Sequence, residues 1–120
     1  MARRVLDHTS VRIKNLEQSR GFYEGVLGLR MAERPDLGMP GAWYELGQGQ
    51  LHLIQCEPMF PQGIDPTNVH FAIQVEDLDA VRRQLQAAGI QMLDPGSNQL
   101  WVHDPDGNTV EICTARTPPK

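Results

Sequence analysis

The sequence predicts an α+β fold in which two βαβββ modules form a paired, cup-shaped mixed β-sheet. Three observations carry that expectation. Short alternating segments are interrupted by two stretches of helical period, at residues 16–27 and 78–88. The order strand, helix, three strands is read twice along the chain. Sliding the chain so that His8 falls on His70 also brings Leu16 onto Leu78, Arg20 onto Arg82 and the cap Asn15 onto the cap Asp77, so the halves behave as an internal repeat. At 120 residues the chain is one domain's worth, enough to bury a core without disulfides or a structural metal. Module one covers residues 5–56, a linker 57–67, and module two 68–114.

The elements follow from local pattern. In residues 5–13, Val5, Asp7, Thr9, Val11 and Ile13 form the more apolar parity, and Leu6, His8, Ser10 and Arg12 the other, as in a half-buried strand. Asn15 is the expected N-cap, with Gln18 in the capping-box position. Leu16, Tyr23 and Leu27, flanked by Phe22 and Val26, give a helical stripe that Gly28 ends. Residues 29–33 read as a strand and 35–41, with two prolines and two glycines, as a loop. Strands at 42–46 and 50–55 are joined by Gly47-Gln48-Gly49. After the proline-rich linker the pattern restarts. Val69, Phe71, Ile73 and Val75 oppose His70, Ala72 and Gln74; Asp77 caps a helix striped by Leu78, Val81, Leu85 and Ala88; Gly89 closes it. Short strands at 90–93, 99–103 and 109–113 are separated by turns at 94–98 and 104–108, and a polar tail follows Thr114.

Composition excludes several classes. Apolar residues at 40% and charged residues at 22% argue against disorder. The net charge is −4 and no basic run exceeds Arg3-Arg4 or Arg82-Arg83, which argues against nucleic acid. No apolar stretch approaches the roughly 18 residues of a membrane helix, and no apolar segment follows Arg3-Arg4 as in a secretory leader. Cys56 and Cys113 lack CxxC spacing and read as reduced thiols, so the expected location is cytoplasmic, with no membrane or nucleic-acid partner.

The chemistry sits on the less apolar strand faces. His8, His52 (between Leu51 and Leu53), His70 and Glu111 (between Val110 and Ile112) each have apolar neighbours that fix which way they point. Positions 8 and 70 are equivalent in the repeat, as are 52 and 111. Imidazole and carboxylate at one point suit a divalent first-row metal, Fe, Mn, Ni, Co or Zn. The set expected is His8, His70 and Glu111, with His52 as a fourth ligand or a base.

The segments DHTSVRIKNLEQSRGFYEGVLGLRM, GAWYELGQGQLHLIQ, VHFAIQVEDLDAVRRQLQAAGI and WVHDPDGNTVEIC cover almost the whole chain. They resemble the vicinal oxygen chelate superfamily of glyoxalases, bleomycin-resistance proteins and extradiol dioxygenases. The resemblance implies a glyoxalase-like fold cupping a metal. Its motif histidines fall on His8 and His70 and its final-strand glutamate on Glu111. Where many glyoxalase and epimerase members carry Glu or Gln in module one, this chain carries His52. The resulting His-His-Glu set is the one used by thiol transferases and extradiol dioxygenases.

Further candidates come from parity. Trp101 and His103 share a face opposite Leu100 and Val102; Trp101 is a candidate substrate platform and His103 a candidate proton shuttle. One of Trp43 and Tyr44 should line the cavity and the other pack outside, with Trp43 counted among substrate-binding candidates beside Ser10 and Arg12. Cys113 is read as packing. The Asp104-Pro105-Asp106-Gly107-Asn108 turn is read as structural. The absence of Lys and Arg from 90 to 115 argues against a phosphonate dianion. The expected function is a metal-dependent enzyme on a small oxygenated molecule (lyase, isomerase or dioxygenase), a homodimer, with a thiol co-substrate left open. The alternative is a binding protein that sequesters a small molecule or antibiotic without turnover, its acidic charge favouring cations.

Overall fold

Each half of the chain builds its own four-stranded sheet. The computed structural model describes residues 5–56, 63–66 and 69–114. The chain clusters into two compact units that divide between Phe60 and Pro61. Most of the expected linker, with Asn68 at the expected start of module two, and the polar tail lie outside the described residues.

In the first unit the strands are β1 (His8–Ile13), β2 (Arg30–Ala32), β3 (Gly41–Leu46) and β4 (Gly49–Gln55), in sheet order β1-β4-β3-β2. β1 runs parallel to β4, and the other pairs are antiparallel. The second unit repeats this with β5 (His70–Gln74), β6 (Met92–Leu93), β7 (Gln99–His103) and β8 (Thr109–Cys113), ordered β5-β8-β7-β6. The βαβββ repeat is therefore the architecture. Several strands are shorter than the alternation suggests: β1 starts at His8 rather than residue 5, β2 loses both ends, and β6 has two residues. Val69, expected on the apolar face, is 98% exposed because pairing begins one residue later, at His70.

Alternation decides the core. Tyr44, Leu51 and Leu53 are fully buried on the apolar face of the first sheet, and Leu100, Val102, Val110 and Ile112 on that of the second. Helix α1 (Leu16–Arg20) is capped as expected, Asn15 Oδ1 accepting from Gln18 N at 2.9 Å. It does not continue as an α-helix to residue 27. Gly21–Val26 is π-helical, with Leu27 N–H donating to Phe22 O at 3.0 Å. Two physical causes act together. Gly21 and Gly25 weaken α propensity there, and the wider turn lets the adjacent Phe22 and Tyr23 both bury, packed edge to face with centroids 5.0 Å apart. A stripe of period 3.6 does not anticipate that geometry. Helix α2 (Leu78–Ala87) is α throughout, its Asp77 cap accepting from Ala80 N at 3.0 Å. Among the described residues no helix is long and apolar enough to cross a membrane.

The equivalent arginines of the repeat do different work. Arg20 pairs along its own helix with Glu24, Nε to Oε2 at 2.7 Å. Arg82 reaches from α2 to Asp94 and to the carbonyl of Ser97, 2.8 Å each, and so fastens the turn before β7. Glu24 also accepts from the buried Tyr44 hydroxyl at 2.8 Å. The Arg20 hydrogen bond, reinforced by Tyr44 and opposed by burial, holds the Glu24 carboxyl below its ordinary value, while burial and then Glu24 push the Tyr44 phenol far up. A carboxyl depressed in the folded state contributes stability above its unfolded pKa and loses it as pH falls through the folded value. Glu24→Gln is therefore expected to flatten the fall of thermal midpoint on acidification below about pH 4.5. Parallel melts of the two proteins from pH 7 to pH 3 read this directly; parallel curves would contradict it.

The turn at 104–108 has the structural role expected of it. Asp104 is 4% exposed, and its carboxylate accepts from Asp106 N (2.9 Å), Asn108 N (2.8 Å) and Asn108 Nδ2 (2.8 Å). Gly107 supplies the positive φ of 82°. Asp104→Ala strands two backbone N–H groups in a nearly closed turn and should cost about 3 kcal/mol in urea unfolding. A loss below about 1 kcal/mol would show that the turn is satisfied without the carboxylate.

Candidate functional site

Strand pairing turns the sequence spacing into rows of side chains. In the first unit, Ser10, His52, Trp43 and Ala32 are successive partners across β1, β4, β3 and β2. Because Leu51 and Leu53 are drawn into the core, His52 must stand on the opposite face. It lies in a column of three parallel rings: Trp43 stacks on it at 4.0 Å and 5°, and His8 at 4.2 Å and 13°. The uncertainty between Trp43 and Tyr44 is thereby resolved, Tyr44 being the core residue.

The hydrogen bonds fix which ring nitrogens are available. Asp7 Oδ2 lies 2.8 Å from His8 Nδ1, which leaves Nε2 to meet a ligand. The Gln50 side-chain oxygen accepts from His52 Nε2 at 2.9 Å, which leaves the lone pair on Nδ1. Burial, and next the neighbouring His8 charge, lower the His52 pKa, with Asp7 opposing and Arg34 adding to the shift. His52 is therefore neutral at pH 7. Beside the column is a cavity of about 640 Å³, to whose wall Ser10 and three residues of the β2–β3 loop, Arg34, Leu37 and Met39, contribute. Arg12 shares this face but is exposed, pairs with Ile54 and does not line the cavity.

In the second unit, His70, Thr109 and His103 form one row and Ala72, Glu111, Trp101 and Leu93 the next. Glu111 is 8% exposed, held on the polar side of β8 by the burial of Val110 and Ile112, and its Oε1 lies 3.2 Å from His70 Nε2. Around this pair Trp101 Nε1, His103 Nε2 and Thr109 Oγ1 are buried and have no hydrogen-bond partner among the described residues. Cys113 is half-buried on the face of Glu111, and among the described residues neither it nor Cys56 is in a disulfide. Of the expected ligands, the fold brings His8 to His52 in one unit and His70 to Glu111 in the other. Within the described residues of each unit no group of three His, Cys, Asp or Glu is gathered for a metal ion.

Two features escaped sequence reasoning. Trp43 and Trp101 are equivalent: the first is the partner of His52, the second of Glu111. Trp43 and Trp101 lie closer together in the sequence than His8 and His70; the loop before β3, residues 33–40, is longer than the loop before β7, residues 94–98, so the offset that aligns the histidines misses the tryptophans. Arg34, in a segment read only as a strand-to-loop junction, is the other; the glycine at 41, over which it lies, was its one signal.

Residues 5–112 match the Glyoxalase/Bleomycin resistance protein/Dioxygenase superfamily, and the chain belongs to that superfamily. Glyoxylase I 4 of Arabidopsis thaliana is 34% identical over 128 residues, covering 95% of this chain and 72% of that protein. The lactoylglutathione lyase of Neisseria meningitidis serogroup B is 28% identical over 124 residues, covering 92% and 90%. The crystal structure of a glyoxalase family protein from Bacillus anthracis shares the fold with a TM-score of 0.77 at 23% identity, over 97% of this chain and 98% of that one.

Proposed function

We propose that the chain is a metal-dependent enzyme of glyoxalase type, a lyase or isomerase acting on a small substrate with adjacent oxygens, and that His8, His70 and Glu111 are its metal ligands. The observation that carries this is the nearly buried Glu111 carboxylate meeting an imidazole nitrogen at 3.2 Å on the polar face of a sheet. The donor set suits a divalent first-row ion. His8 has the carboxylate-backed imidazole that commonly stands behind a metal-ligating histidine, Asp7 holding Nδ1 and leaving Nε2 outward. His52 fits less well as a fourth ligand. Its ring is stacked on His8 at 4.2 Å and its Nε2 is already engaged by Gln50, so it would have less to offer an ion than His8, His70 or Glu111.

When bound, the ion supplies Lewis-acid stabilisation of the oxygen on which charge develops. The proton work falls to His52. Its neutral Nδ1 takes a proton from a hydroxyl-bearing carbon beside a carbonyl, and the electron pair moves to the carbonyl oxygen; the hydroxyl proton passes to that oxygen and the abstracted proton is returned to the former carbonyl carbon, as the first carbon becomes the carbonyl. Trp43 holds the ring in place, and Gln50 fixes its tautomer. His103, with its buried unpartnered Nε2, is the second candidate for a proton relay. The relatives' names add weight to glyoxalase chemistry; the proposal takes the enzyme as a cytoplasmic homodimer.

The test is metal analysis after loading with Fe(II), Mn, Co, Ni or Zn, followed by turnover assays with methylglyoxal–thiol adducts and catechols. One ion per chain and turnover of the adduct are expected; turnover of catechol instead would move the assignment to a dioxygenase. The stacked column and its cavity favour one other reading, a sequestering protein. Absence of metal uptake, together with tight binding of a ligand recovered unchanged, would establish that reading. Light scattering that gives the mass of a single chain would remove the dimer.

A further inference from the structure

We infer that the first unit's cavity selects a planar aromatic molecule carrying an ionised oxygen, and that Arg34 is the residue that reads the charge. Trp43 has one face covered by His52. On its other side the row continues to β2, where its partner is Ala32, so only a methyl group stands where a further ring would stack. Two residues along the same face is Arg34, whose guanidinium lies over Gly41. A Cβ at position 41 would come within 2.8 Å of Arg34 Nη2 and run into the Leu53 carbonyl oxygen, so the glycine makes the cradle in which the guanidinium rests. Arg34 Nη2 donates to Met39 O at 3.0 Å, which anchors the group to the loop. Its Nε–H is buried, and among the described residues it has no acceptor and Arg34 makes no ion pair.

An unneutralised guanidinium beside the open end of an aromatic column, in a wall that also holds Leu37 and Met39, has two complements in one ligand. A flat ring continues the column. A carboxylate or phenolate oxygen accepts from the guanidinium, and a charge-assisted bond in an apolar surround is worth more than a neutral one. The overall net charge of −4 would favour cations at long range, and Asp7 also lines the cavity; but Asp7 is engaged with His8 Nδ1 at 2.8 Å, the charge beside the open end of the column is that of Arg34, and contact chemistry outweighs a screened field at that distance. As a statement about substrate this rests on the enzyme reading, whereas the binding it describes needs neither metal nor turnover.

Calorimetric titration of the full chain in EDTA with three probes separates the parts: 2-naphthoate, its neutral isostere 2-naphthamide, and cyclohexanecarboxylate, an anion without the flat ring. Naphthoate is expected to bind roughly tenfold more tightly than either of the others. Arg34→Gln should make naphthoate and naphthamide alike, Arg34→Lys should keep part of the preference for the anion, and Trp43→Leu should make naphthoate and cyclohexanecarboxylate alike. Equal affinity of the wild-type chain for naphthoate and naphthamide, no binding of naphthoate, or an undiminished preference in Arg34→Gln would each overturn the inference. If metal uptake and turnover fail while these preferences hold, the enzyme reading falls and this one stands; the reverse result removes Arg34 and leaves the enzyme.

Discussion

Glu111→Gln is expected to yield a folded chain that no longer takes up metal. The side chain is nearly buried, and its amide isostere fills the same space opposite His70, so no cavity opens. What changes is charge. A neutral amide oxygen is a far poorer ligand for a hard divalent ion than a carboxylate, and affinity should fall by orders of magnitude. Thermal melts report both effects. Without metal, the variant should melt at or above the wild-type temperature, because a charge has been removed from a poorly solvated place. With metal at about a thousand times its dissociation constant, wild type should gain about 4 kcal/mol and the variant nothing. His70→Ala should differ in one respect. It also lowers metal-free stability, by about 1–3 kcal/mol, since it leaves the Glu111 carboxylate without its imidazole partner. A Glu111→Gln chain that binds one ion at wild-type affinity would remove the carboxylate from the ligand set, and the enzyme reading with it.

Much of this was legible in the sequence because the signals were local and redundant. Strand parity, two side-chain N-caps and two C-terminal glycines all had to agree for the βαβββ repeat to be read, and each is visible within a few residues. The same parity placed His52 and Glu111 on the polar face, since each sits between two side chains that are driven inside. The failures lie where a result depends on something other than a fixed local period. The π-helical turn at Gly21–Val26 arises from competition between weak α propensity and the demand to bury two adjacent aromatic rings. The exposure of Val69 depends on where pairing with β8 begins, which is a property of the partner strand. The equivalence of Trp43 and Trp101 is hidden by loops of different length before β3 and before β7. Arg34 is the clearest case: its position is set by the missing side chain of Gly41, a residue far enough along the chain that no periodicity links the two.

His52→Ala should separate metal binding from catalysis. In the stacked column, His52 lies between Trp43 and His8 with its Nε2 committed to Gln50, so Nδ1 is the one nitrogen with a lone pair to offer a substrate. With His8, His70 and Glu111 as the residues that would hold the ion, and with His52 held in the stack by Trp43 and Gln50, the ion should be kept. Metal affinity is expected to change less than about tenfold, while kcat on the methylglyoxal–thiol adduct falls by about 10²–10⁴, the usual contribution of a positioned general base. KM should move less than kcat, because the loss is in the transition state rather than in binding. His52→Gln, the residue type that many glyoxalases carry here, restores a hydrogen-bonding group but no base, and should recover packing against Trp43 without recovering rate. A substrate solvent-exchange measurement adds an independent check: exchange of the abstracted proton should disappear with His52 and survive in His103→Gln. If His52→Ala instead loses its metal along with its activity, His52 is a ligand rather than the base.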